Sequence, residues 1–259
     1  MTKERLLEQL ENVRSDMLDM MEEIREDQSS GDQRPTHNVF YMPFENVHRM
    51  LDAGLVDLFH VGDQIVNQHK KYGPIVWDII GVNVDKRLDT PNTLTLLMHY
   101  VLPGTFVYSN ESKQYPYGHA HYPSSDIRKW LNGDLLNGFA QDTDALYMLE
   151  VEKSTYTVNA EGAKEETTAD KLFLLSSSEV GFALGDYVHD EGPVYPFFDG
   201  APENRCKTDL NDPEQARGWW LRSPHPGIAN YARYVHTSGA RSVSVACHGR
   251  GAAAACVIG

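Results

Sequence analysis

Chemistry in this chain would start from a few side chains. His119 and His121 stand in Tyr117-Gly118-His119-Ala120-His121-Tyr122. In an extended segment, residues two apart point the same way, as two imidazoles on one zinc must. No third ligand stands at a usual spacing, although His60, His99 and Asp126 occur elsewhere, so the segment reads as a polar aromatic loop. Cys247 and Cys256 could offer soft thiolates to copper, yet buried cysteines are usually inert packing. Asp186, Asp190, Glu191 and Asp199 could serve acid-base work or calcium, but their spacing fits no EF-hand and reads as a solvated loop. Ser176-Ser177-Ser178 lacks the glycine-flanked elbow of a hydrolase nucleophile, and no Gly-rich loop with Lys cradles a phosphate.

Binding is better served by the C-terminal run from Trp219 to Gly259. From His225 onward it uses no Lys, Asp, Glu, Gln, Met, Trp, Phe or Leu, all of which the preceding chain uses freely. Every residue from His225 to Arg250 can be written by a codon ending in a pyrimidine, which Lys, Glu, Gln, Met and Trp cannot. Within this segment Tyr231, Tyr234, His236, His225, Asn230, Ser242, Ser244, His248 and Arg250 are side chains that a paratope favours. Tyrosines give contact area at low entropic cost, while small polar groups and Arg direct hydrogen bonds. Gly227, Ile228, Ala240, Val243 and Val245 are quieter positions of the same kind. A plain β-hairpin with Tyr and His on its wet face is the alternative. Trp219, Trp220, Leu221, Val257 and Ile258 read as core.

The Trp219-Trp220-Leu221-Arg222-Ser223-Pro224 start, the Ala232-Arg233 step, Gly239 and the Gly251 to Gly259 run closely resemble the variable proteins of diversity-generating retroelements of bacteria and their phages. In those systems reverse transcription randomises adenine positions of a template. The resemblance covers the last forty or so residues most strongly, weakens back to about His60 and is absent from the N-terminus. It departs at Ala252 to Ala255, where relatives often carry an Arg-Pro pair. It implies an α+β, C-type-lectin-like fold of the formylglycine-generating-enzyme-like variant, with a variable region at about 225–250 that binds a protein or glycan on a target surface. It also implies a phage virion or a bacterial surface as the setting, with no catalytic residue, cofactor or metal. Two other roles stay open: a metal-dependent oxidase of the same superfamily using Cys247 and Cys256, and a structural virion subunit.

The elements that must hold these residues are partly legible. At 259 residues the chain has room for one large domain and an appendage. A net charge of -14 argues against nucleic-acid binding, which needs clustered Lys and Arg, and beyond Pro224 only Arg233, Arg241 and Arg250 carry formal charge. Three cysteines make no disulfide framework, and neither a secretory leader nor a membrane-spanning run is evident. Leu6, Leu10, Val13, Met17, Met20 and Ile24 alternate at four and three residues, a heptad seam within residues 1–30. That helix either makes a homo-oligomer by coiled coil or docks on its own domain.

After a polar linker the globular region runs over 36–259. A short helix is expected over 43–53 with Gly54 as its stop, then a hairpin in 59–84 and a strand over 93–101. Ser124 or Ser125 should cap a helix through Ile127, Trp130, Leu131 and Leu135. An exposed insertion over 159–170, a strand over 172–175 and little regular structure over 181–217 complete the expectation.

Overall fold

The computed structural model describes residues 37–85, 90–159, 162–185 and 188–259. The chain divides into two compact units, Met1–Asn38 and Val39–Gly259, and the second carries the elements described below. The helix expected within residues 1–30 lies outside the described residues.

β1 (Val39–Tyr41) leads into α1 (Phe44–Asp52), whose Phe44, Val47, Met50 and Leu51 recur at three and four residues and are all buried. Gly54, at φ +76°, ends the helix in the left-handed conformation that glycine adopts freely. β2 (Gln64–His69) and β3 (Gly73–Val82) form the expected hairpin, and β4 (Leu94–Met98) is buried throughout. β5 (Phe106–Val107) precedes α2 (Asp126–Trp130). Ser125 caps α2 by accepting the Arg128 N–H at 3.3 Å, and Asp126 sits favourably in the first turn.

β6 (Met148–Leu149) comes next, followed by β7 (Val151–Asn159) and β8 (Gly162–Asp170). These last two pair along their full length, so the expected insertion at 159–170 is the returning half of a hairpin. The expected strand over 172–175 makes one bridge, Phe173 to Ala255, although all four residues are buried. The stretch from 181 to 217 holds short 3-10 turns, with β9 (Lys207–Asp209) and β10 (Asp212–Arg217) near its end. The tail supplies β11 (Trp219–His225), β12 (Ile228–Val235), β13 (Arg241–Val245), β14 (Gly249–Arg250) and β15 (Ala255–Ile258).

Six strands make the main sheet in the order β1-β2-β3-β4-β15-β6, with β1 and β2 parallel and the other neighbours antiparallel. β15 thus lies between strands that precede it by a hundred or more positions, and residues 251–259 are all buried. The small Ala252 to Ala255 run lets the chain pass through the packed interior, where Gly251 has no room for a Cβ beside Val101 and the Gly218 carbonyl. β11, β12 and β13 form a separate antiparallel sheet. The fold is therefore mixed α and β, dominated by sheets with few helices.

Charge is also buried where the two sheets and the β7–β8 hairpin meet. Arg222 of β11, fully buried, donates to both Glu179 oxygens at 2.5 and 3.0 Å and to the Ser154 carbonyl of β7 at 2.9 Å. Lys153 of β7 reaches Asp85 at 2.5 Å and the Tyr195 hydroxyl at 2.7 Å. Burial pushes Glu179 and Asp85 up, but the cations beside them outweigh it and hold both carboxyls below their ordinary range. These pairs tie the irregular stretch near Tyr195 to the tail sheet.

Candidate functional site

The segment from 225 to 250 builds the tail sheet from His225 onward and its turns. Strand residues alternate between faces, and residues paired across antiparallel strands share one. Tyr234 pairs with Trp220 on one side and Ser242 on the other, which sets these three on one face. Tyr231 pairs with Val245, Arg233 with Val243 and Val235 with Arg241, which sets those six on the opposite face. The two tyrosines expected to act together are three residues apart in one strand and therefore diverge.

On the first face the Tyr234 ring meets Trp220 edge-on at 6.1 Å, and the Arg250 guanidinium stands 4.8 Å over Tyr234. On the second, His225 and Tyr231 have ring centroids 6.5 Å apart. Burial and then the neighbouring Arg241 bring Arg233 down to about 10, and burial followed by both arginines lowers His225. Gly227, Ile228, His236, Ala240 and His248 are exposed, and His225, Asn230, Tyr231, Tyr234, Ser242 and Arg250 are partly buried. Ser244 departs from its expected display role. It is 4 % exposed because it pairs with Ala232, itself fully buried.

The two cysteines of the oxidase reading occupy different surroundings. Cys256 is fully buried in β15 opposite Leu96, whereas Cys247 is partly exposed and its N–H meets the Tyr117 carbonyl at 3.3 Å. Burial raises both thiols, and Glu111 raises Cys247 further, which disfavours the thiolate that a metal or a redox step requires. Among the described residues no group of three or more His, Cys, Asp or Glu converges as metal ligands do.

A pocket of about 340 Å³ opens where the 115–124 loop, the β7–β8 hairpin and the β11–β12 turn meet. Its walls include His119, His121, Ser124, Lys164, Glu166 and Ala229. His121 Nε2 lies 2.8 Å from Glu166 Oε2 and its Nδ1 2.6 Å from Ser124 Oγ. The carboxylate accepts the Nε2 proton, which leaves the Nδ1 lone pair for the Ser124 hydroxyl. Burial pushes Glu166 up, but Thr157, His121 and Lys164 together hold it below its ordinary range.

The sequence Ser-His-Glu matches the order of a nucleophilic triad, but its surroundings do not complete one. The Ser124 and Ser125 amides already donate to the His121 and Tyr122 carbonyls, so neither is aimed at a developing oxyanion. With both ring nitrogens of His121 engaged, zinc binding there is also disfavoured. The array holds polar groups in fixed positions around a concave site, which suits binding.

Sequence reasoning missed Lys164 and Glu166 because it left 159–170 unpaired. The signal was present: β-branched residues alternate at Thr155 and Thr157, recur at Thr167 and Thr168, and flank an Asn159 to Gly162 turn.

No curated protein and no solved structure matches this chain. A family described as "Domain of unknown function (DUF6273)" matches residues 91–258, a span from β4 through the whole tail that covers well over half of the chain. On that match the protein belongs to the DUF6273 family.

Proposed function

We propose that this chain is a ligand-binding protein with a C-type-lectin-like scaffold, whose segment 225–250 is a diversified recognition surface set beside a fixed interior. One observation carries the reading: the compositionally skewed stretch runs on to Gly259, but all of its polar and aromatic side chains lie within 225–250. That segment begins at the end of β11, fills β12 and β13, exposes its turns at Gly227, Ile228, His236 and Ala240, and ends where the buried Gly251 to Gly259 run begins. Residues on both sides, Trp219 to Ser223 and Gly251 to Gly259, are buried. Return of β15 to the main sheet as its fifth of six strands, with a separate small sheet before it, supports the lectin-like scaffold.

Two separate faces, one around Tyr234 and Arg250 and one around Tyr231 and Arg241, supply the contact surface. Recognition needs no bond made or broken. A protein or glycan on a phage host or a bacterial surface is the proposed target, and oligomerisation through residues 1–30 would add avidity. Sequencing the locus tests the reading. Codons at Ile228, Ala240, Ser242 and Arg250, each of which also has a purine-ending alternative, should end in a pyrimidine, and a near-copy with adenines at those codons should lie beside a reverse transcriptase. Absence of both removes it.

A further inference from the structure

The pocket beside the tail sheet is built almost wholly from residues outside the segment proposed to vary. His119, His121, Ser124, Lys164 and Glu166 come from the loop and the β7–β8 hairpin, and only Ala229 comes from 225–250. If the tail changes from copy to copy, these walls do not change with it. Whatever the pocket takes must therefore be a chemical group shared by many targets.

The walls define that group. Lys164 supplies a cation and Glu166 an anion, so the pair is neutral in sum and favours neither an anionic nor a cationic ligand. Lys164 donates, Glu166 accepts, and the Ser124 oxygen, whose proton goes to His121, also accepts. Tyr115 and His119 meet edge-on at 5.1 Å, an aromatic wall for the apolar face of a ring. At about 340 Å³ the cavity is at the small end of ligand pockets, which run from about 300 to 1,000 Å³.

We infer that this pocket is a fixed subsite for a neutral, polyhydroxylated ring, namely one sugar residue of a glycan, with the tail sheet reading whatever surrounds that residue. The division into fixed and varied parts rests on the display reading of 225–250. Each sugar hydroxyl both donates and accepts, so adjacent hydroxyls can accept from Lys164 and donate to Ser124 and Glu166, and the Glu166–His121–Ser124 chain holds the pocket's polar groups in place before binding. Preorganisation of this kind lowers the ordering cost that otherwise makes sugar binding weak.

Saturation-transfer NMR on the full chain with methyl glycosides of glucose, galactose and mannose tests this. Transfer to the ring protons of at least one glycoside is expected. Glu166→Gln and Lys164→Gln should each weaken it by about tenfold or more, the loss typical of a hydrogen bond to a charged group. Lys164 is exposed, so its variant keeps the test valid if Glu166→Gln disturbs folding. Glu214→Gln, exposed on β10 and outside the pocket's walls, should leave the signal unchanged. No transfer from any neutral glycoside, transfer only from a uronate or sialoside, or loss in Glu214→Gln equal to that in Glu166→Gln overturns the inference. A silent pocket leaves the diversified tail standing, since the locus sequence judges that, and a locus without a template leaves the glycoside titration as measured.

Discussion

Arg222 and Glu191 show how single side chains set the terms for the tail sheet. Arg222 is fully buried against Glu179, so Arg222→Ala leaves that buried carboxylate with only Lys153, at 3.5 Å, as a cationic partner and should cost about 3–5 kcal/mol, measured by denaturant unfolding. Glu191 lies in the irregular stretch before the tail, where the Ser223 hydroxyl and the Tyr156 N–H both donate to it. Burial raises it to about 7, and this outweighs Arg222, Ser223 and Tyr156, which pull it down. An acid whose folded value exceeds its unfolded one binds more protons when folded, so its contribution to stability falls as pH rises from about 4.5 to about 7. Burial of His69 and His119 has the opposite slope, because their lowered values disfavour the folded state on protonation. Comparing pH–stability curves of the wild-type chain and Glu191→Gln isolates the first effect, and the variant should lose less stability over that interval.

Element by element, the sequence showed most where local rules suffice. α1 with its Gly54 stop, the Ser125 cap and the 64–82 hairpin follow from periodicity and turn chemistry. It showed least where position depends on pairing across the chain. The apolar run at residues 172–175 marks it as core, but nothing local to it indicates that it makes a single bridge. The residue types at Tyr231 and Tyr234 raise the expectation of a contact surface, but their opposite directions follow from strand phase, which residue types alone leave open. Ser244 looked like its neighbour Ser242 for the same reason. The phase also makes a prediction. His236→Ala, His248→Ala and Ala240→Ser change exposed turn positions and should stay within about 0.5 kcal/mol of the wild-type stability. Ala232→Tyr on the same strand adds a ring at a fully buried site and should cost at least about 1–3 kcal/mol in thermal or denaturant unfolding.

For the molecule as a whole, the main sheet closes only when β15 slots between β4 and β6. Removing residues 255–259 should therefore abolish the cooperative transition instead of trimming an edge, as circular dichroism melting would report. If residues 225–250 vary as proposed, the same arrangement bears on which variants can fold. A ribosome makes residues 225–250 before β15, so a frameshift or stop introduced there removes the strand that completes the interior. A copying error of that kind yields a chain that quality-control proteases can clear, whereas an in-frame substitution on the tail sheet leaves β15 to follow. Only variants read through to the far side of the changed segment reach the folded pool.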